Sequence, residues 1–117
     1  MLADMSLPDH TPDVRRVAEF EVANRSANEL IAPPPEAGWD LGLVDRNCEC
    51  GNAVCRAELR LTVAEYEEVR EDPRRFAVLH EHVVHAAEHI VERRERYTIV
   101  EKVAVAGRIA EAHDPRA

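Results

Sequence analysis

Three cysteines crowd into eight residues of a 117-residue chain, as Cys48-x-Cys50-x4-Cys55, and the chain has no fourth. An odd number cannot form a closed set of disulfides. Sulfurs this close along the chain can instead converge on one point if the backbone between them turns back on itself. Gly51 and Asn52 directly follow the second thiol. Both tolerate the positive φ of a tight turn, which lets backbone amides point back toward the sulfurs. Thiolates are the protein donors that zinc favours, and zinc takes four ligands in a tetrahedral array. The spacing therefore predicts Zn2+ held by Cys48, Cys50 and Cys55, with a fourth ligand from elsewhere. It departs from the paired C-x2-C halves of common zinc fingers, and the competing reading is three ordinary thiols, two of them buried. An iron–sulfur cluster normally takes four thiolates, one more than the chain owns.

The histidines offer the missing ligand. His80, His82, His85 and His89 lie within ten residues. His82 follows a predicted strand from Phe76, and a four-strand arrangement brings it to the cysteine turn; His80 is the alternative on the same logic. His82, His85 and His89 are spaced by three and four, which puts them on one face if the segment is helical. That face is either a second metal site or a solvated surface.

The compartment and partners follow from composition. Free thiols persist in the reducing cytoplasm, which is the predicted location. Met1 to His10 lacks the basic start and apolar run of a signal peptide. No segment approaches the ~18 consecutive apolar residues that span a bilayer, so no membrane partner is expected. The 23 acidic residues outnumber the 15 basic ones, for a net charge of −8. Binding to nucleic acid through phosphates needs clustered positive charge, so none is expected here. Arg93, Arg94 and Arg96 are interleaved with Glu92 and Glu95 and read as a solvated face. An acidic surface fits solubility or docking on a basic partner. Only 4% of residues are aromatic. A core of Val, Ala, Leu and Ile buries less area per residue than one filled with rings, and a metal staple would add to its margin.

Along the chain, residues 1–10 read as disordered. Thr11-Pro12-Asp13 reads as a helix start, with a loose apolar stripe through Ile31 that Asn24, Arg25, Ser26 and Asn28 interrupt. Pro33-Pro34-Pro35 ends the helix and stiffens a linker. Residues 1–35 are thus expected to be a disordered start, a helical arm and a Pro-rich linker, and 36–113 a zinc-stabilised α+β domain. The arm is free to dock on the domain, pair with another copy or grip a partner protein.

Leu41 to Asn47 and Ala57 to Leu61 read as strands flanking the cysteine turn. Thr62 with Glu65 is a capping box, opening a helix that ends before Pro73. Phe76 to Leu79 reads as a third strand, 81–96 as helix and 97–101 as strand, while 104–112 is ambiguous with helix slightly favoured. Tyr66 and Tyr97 read as core rings with exposed hydroxyls. The expected class is α+β: a small antiparallel sheet with a zinc-bearing hairpin, packed by helices, plus the N-terminal helical arm.

Cys48-Glu49-Cys50, Cys55, Leu61-Thr62, Glu65-Tyr66-Glu67, Val69-Arg70, Phe76 and Ile99-Val100-Glu101-Lys102 occur in that order. Over roughly residues 20 to 105 this resembles a group of small actinobacterial proteins. Their shared pattern is C-E-C, four residues, Cys, L-T-x-x-E-Y-E-x-V-R, a Phe-containing strand ending P-G-H, and later V-V-E-K. The resemblance implies a zinc site of three cysteines and one histidine, with His82 on the group's histidine, and it implies no particular reaction. Here His80-Glu81 replaces the group's Pro-Gly, which alters the turn and makes His80 a possible substitute.

Three thiolates and a histidine close a metal's coordination shell, whereas a catalytic zinc keeps a position open for water. Glu49, between two ligands, should point away from the metal and make a poor general base. Ser-His-Asp order, H-E-x-x-H, the deaminase signature and a Gly-rich phosphate loop are all absent. The sequence thus favours a non-catalytic interaction or regulatory module, bound to a protein partner or to itself through the N-terminal helix. The alternatives are a thiol-based redox or metal sensor and, weakest, a zinc-dependent enzyme.

Overall fold

A computed structural model describes residues 13–52 and 55–116. The disordered start expected for residues 1–10 and the Thr11 cap lie outside them. The first described helix, α1, spans Val14–Glu29, and Asp13 caps it by accepting from the Arg16 N–H at 3.3 Å. The Pro-rich segment ends in a 3-10 turn at Pro35–Ala37.

Strands β1 (Val44–Asn47) and β2 (Glu58–Leu61) form an antiparallel hairpin that pairs Val44 with Leu61 and Asn47 with Glu58. Helix α2 (Val63–Val69) follows at once. Its start is fully local: the Thr62 hydroxyl accepts from the Glu65 N–H at 3.1 Å, and Glu65 Oε1 accepts from the Thr62 N–H at 2.8 Å.

Strand β3 (Arg75–Val78) leads to a 3-10 turn at His80–His82, then β4 (Glu88–Arg93), β5 (Thr98–Lys102) and α3 (Ala104–Ala112). The three strands form a separate antiparallel sheet in the order β3-β5-β4. The fold is α+β with two small antiparallel sheets rather than one. A backbone bond from the Glu49 N–H to the Ala77 carbonyl, 2.9 Å, joins the cysteine segment to β3 and so links them.

The helix expected over 81–96 is not formed. Glu88–Arg93 pairs as an edge strand with β5, setting Ile90 opposite Val100 and Glu88 opposite Lys102. Helix propensity is a weak prior, and cross-strand pairing of Ile90 and the burial of Glu88 override it. His85 and His89 consequently do not share a helical face with His82; both are exposed.

The main core joins Leu59, Leu61, Tyr66, Val69, Phe76, Val78, Tyr97, Ile99 and Val100, and Cys48 and Cys50 belong to it. The tyrosine hydroxyls are not exposed as expected: Tyr66 donates to Glu49 Oε2 at 2.8 Å, and Tyr97 accepts from Arg94 at 3.2 Å. A buried phenol needs such a partner. A second, alanine-rich cluster of Ala18, Ala87, Ala106 and Ile109 packs α1 on α3.

Of the placements left open for the N-terminal helix, the structure has the docked one. Ala18, Glu21, Arg25 and Asn28 form its buried face, so three of four core-facing side chains are polar. Arg25 stacks over Phe76 at 4.4 Å from the ring centre and donates to the carbonyls of Pro73, 2.5 Å, and Ala110, 2.8 Å. The expected apolar stripe is not what seats the helix, since Leu30 is exposed and Ala27 faces solvent. Buried polar groups are tolerated where each finds a partner, and α1 is held by such partners. Among the described residues, no helix is long and apolar enough to cross a membrane.

Candidate metal centre

The hairpin places Cys48 one residue past β1 and Cys55 three residues before β2, so the turn delivers its thiols together. The 3-10 turn after β3 delivers His82, whose N–H donates to the Leu79 carbonyl at 3.0 Å. One ligand atom from each of Cys48, Cys50, Cys55 and His82 lies within 4.8 Å of every other. His82 Nδ1 stands 3.4 Å from Cys48 Sγ and 3.7 Å from Cys55 Sγ. A tetrahedral zinc with Zn–S near 2.3 Å and Zn–N near 2.05 Å sets S···N at about 3.6 Å. Both distances fit that spacing, and the four donor atoms lie close enough together for the cluster to hold a metal.

His80 is turned elsewhere. Its Nδ1 pairs with Thr98 Oγ1 at 2.6 Å and its Nε2 with the Glu95 carbonyl at 3.3 Å, both next to β5. The two histidines lie two residues apart on a tight turn, which sends one ring to the cysteines and the other to the sheet end.

Backbone amides surround the sulfurs. Cys48 Sγ accepts from the Leu79 N–H at 3.3 Å, and the Asn52 N–H bonds to the Cys50 thiol. Gly51 is needed for space rather than for the positive φ expected of it, since its φ lies outside the left-handed region. A Cβ at Gly51 would overlap the Val17 side chain of α1. The hydrogen bond with Cys48 draws the Cys50 thiol down to about 5, while that bond and burial push Cys48 up. The cluster thus carries a thiolate at neutral pH, the form that binds metal.

Glu49 does point away from the sulfurs, into the core. It is fully buried, and its oxygens accept from Asn28 Nδ2 at 2.8 Å, the Tyr66 hydroxyl at 2.8 Å and the Ala77 N–H at 3.0 Å. Burial raises its pKa, against those three hydrogen bonds. This side chain nails the cysteine segment to α1, α2 and β3 at once. Asn28 also brackets Asn47, donating to its carbonyl at 2.9 Å and accepting from its N–H at 2.8 Å. Asn24 donates to the Cys50 carbonyl at 2.8 Å. The asparagines that interrupt the apolar stripe of α1 are thus the contacts that hold it to the cysteine loop. The available signal was the spacing of Glu21, Arg25 and Asn28 at i, i+4 and i+7, one helix face with Ala18.

A second buried charge cluster lies under α1. Lys102 is the only lysine in the chain and is 1% exposed, paired with Glu21 and Glu88. Its ammonium sits 5.0 Å from the centre of the Phe76 ring. Burial lowers its pKa and raises that of Glu21 to about 7.

A cleft of about 620 Å³ adjoins the cysteine cluster, lined by Cys50, His82, Arg16, Phe20, Glu81 and Val83 among others. If all four side chains bound one zinc ion, they would fill a tetrahedral shell. No family model, curated protein or solved structure matches this chain.

Proposed function

We propose that this chain is a non-catalytic, zinc-stabilised interaction or regulatory module, in which Zn2+ bound by Cys48, Cys50, Cys55 and His82 is structural. The observation that carries the reading is the clustering of three sulfurs and a His82 ring nitrogen within 4.8 Å of one another. A closed set of three sulfurs and one nitrogen is chemistry that zinc prefers and that leaves no site for catalysis. Supporting it, the loop that bears the ligands is also the anchor for α1, α2 and β3 through Glu49. The ordered motifs shared with the small actinobacterial proteins fit membership of that group and the same ligand set. With α1's buried face already used inside the chain, partner binding falls to the acidic outer surface of the domain.

The test is elemental analysis of the purified protein. About one equivalent of zinc is expected, and Cys55→Ser and His82→Ala should each lose it while His80→Ala retains it. A metal-free protein of undiminished stability would sink the proposal.

The sensor reading has one observation in its favour: the cleft reaches Cys50 and His82, and Cys55 is half-exposed. Against it, Cys48 and Cys50 are each 2% exposed and accept backbone N–H bonds, which resist oxidation. Mild peroxide decides between them. A module keeps its zinc and its circular dichroism; a sensor ejects zinc, unfolds at the turn and recovers with reductant and zinc.

A further inference from the structure

The loop entering β1 holds large apolar side chains out in water on a constrained backbone. Trp39, Leu41 and Leu43 are 60%, 90% and 45% exposed. The Gly42 N–H donates to the Ala37 carbonyl at 2.8 Å, closing the turn that carries Trp39 and Leu41. A Cβ on Gly42 would lie 2.6 Å from Ala37 Cα and 2.7 Å from its oxygen, so only glycine closes it. The Trp39 carbonyl accepts from the Ala64 N–H in the first turn of α2 at 2.7 Å, fixing the tip to the domain. The backbone is thus tied down while the side chains project outward. A pre-shaped apolar tip of this kind loses little conformational freedom on meeting a partner. Tryptophan is also among the residues that carry most of the energy at protein interfaces.

The charge around the tip selects the partner. Glu36 and Asp40 flank the turn, both exposed, and among the described residues neither has an ion-pair or hydrogen-bond partner. Asp45, just beyond Leu43, is exposed too, with only the exposed Arg60 beside it at 3.0 Å. A second copy docking symmetrically through this loop would set the patch that carries Glu36 and Asp40 against the same acidic patch. An anionic lipid surface would be repelled by the same carboxylates. A basic partner is attracted to them, and the chain's net charge of −8 adds to that attraction at long range.

We infer that the Ala37–Leu43 loop is a docking site for an apolar, Lys- or Arg-bearing segment of another protein. Trp39 and Leu41 pack against the segment's apolar side chains, and Glu36 and Asp40 pair with its cations. The inference rests on the interaction-module reading and names the surface and the partner chemistry that reading leaves open.

Trp39 is the only tryptophan, so its emission reports directly on the site. The full-length, zinc-loaded protein is titrated with two synthetic amphipathic peptides, one of Leu and Lys and one of Leu and Glu, each carrying a fluorophore for anisotropy. The Leu/Lys peptide is expected to bind saturably and shift Trp39 emission to the blue; the Leu/Glu peptide is not. Leu41→Ser, at a site too exposed to matter for folding, should weaken binding about tenfold. The double change Glu36→Gln, Asp40→Asn should weaken it severalfold and flatten its salt dependence.

The docking site is overturned if the Leu/Lys peptide does not bind, or binds Leu41→Ser as well as the parent. It is also overturned by a Leu41-dependent dimer in sedimentation, which assigns the loop to a second copy. A blue shift with anionic vesicles in place of peptide would overturn it too, assigning the loop to a membrane. Zinc content is measured on the same samples. Loss of peptide binding with zinc and fold intact sinks this inference alone, whereas a zinc-free protein that still binds the peptide sinks the structural-zinc reading alone.

Discussion

The cysteine cluster and the ion cluster around Lys102 both lie under α1, and both place like groups close together in the core. Cys48, Cys50 and Cys55 are three potential anions gathered with His82, and the cluster could hold a cation from solution. Glu21 and Glu88 are two carboxylates that enclose an internal cation, Lys102. A metal held by the first arrangement would tie stability to free metal, because binding to the folded state alone stabilises it by mass action. The second depends on nothing outside the chain, and burial makes it sensitive to any imbalance of charge. One helix touches both, through Asn24 at the cysteine loop and Glu21 at the lysine. The position of α1 therefore reports on two fastenings, which also feel each other through the charge of Cys50.

Stripping the metal should have the largest effect. With free zinc a thousandfold above its dissociation constant, its removal by a chelator costs about 4 kcal/mol, and Cys55→Ser should match that loss. Thermal unfolding with and without chelator checks it; an unchanged midpoint would mean that the cysteines pack as ordinary thiols and the comparison fails.

Replacing Lys102 comes next. Lys102→Met leaves Glu21 and Glu88 facing each other without a cation, at a cost of about 3–5 kcal/mol in denaturant titration. Adding Glu21→Gln and Glu88→Gln should recover much of it. Failure to recover would show that the lysine's contact with Phe76, not the charge balance, is what matters.

Acidity should separate the two regions by sign. Glu21 has its pKa raised to about 7, above the unfolded value of 4.5, so the folded chain holds its proton over that interval. Its contribution is complete below pH 4.5 and is lost as pH rises through about 7, about 3 kcal/mol in all. The metal centre runs the other way, because protons compete for thiolates and imidazole as pH falls. Measured from about pH 5 to 8 in metal-free protein, where the Cys50 thiolate is common to both chains, the parent should lose stability relative to Glu21→Gln as pH rises. An equal slope in the variant would remove Glu21 as its source.

The smallest effect is the most local. Asn24→Ala deletes the bond to the Cys50 carbonyl and should cost about 1 kcal/mol in the zinc-loaded protein. The same change should cost almost nothing after chelation, when the loop no longer holds that carbonyl in place. An equal cost in both states would mean that the loop keeps its shape without metal.

Much of the frame was legible because its signals are local. The cysteine turn between two strands, the Thr62–Glu65 capping box and the strand at Thr98–Lys102 each announce themselves in neighbouring residues, even where, as for β5, the pairing partners are distant. The segment 81–96 reads as helix because its residues favour helix locally, while β5 supplies the pairing that makes part of it strand. The polar face of α1 reads as a weakness because the partners of Asn24, Arg25 and Asn28 lie from 19 to 85 residues away.

The sequence by itself determined that three sulfurs would meet, since eight residues with a turn between them leave few other outcomes. It also narrowed the fourth donor to two histidines. Only the tertiary structure decided between them, because a tight turn after β3 aims His82 at the sulfurs and His80 at Thr98. Only the tertiary structure buried Lys102 between Glu21 and Glu88, since that pairing requires α1, β4 and β5 to be assembled first. Local chemistry can be read from spacing along the chain; the partners of a buried charge depend on which distant segments the fold brings together.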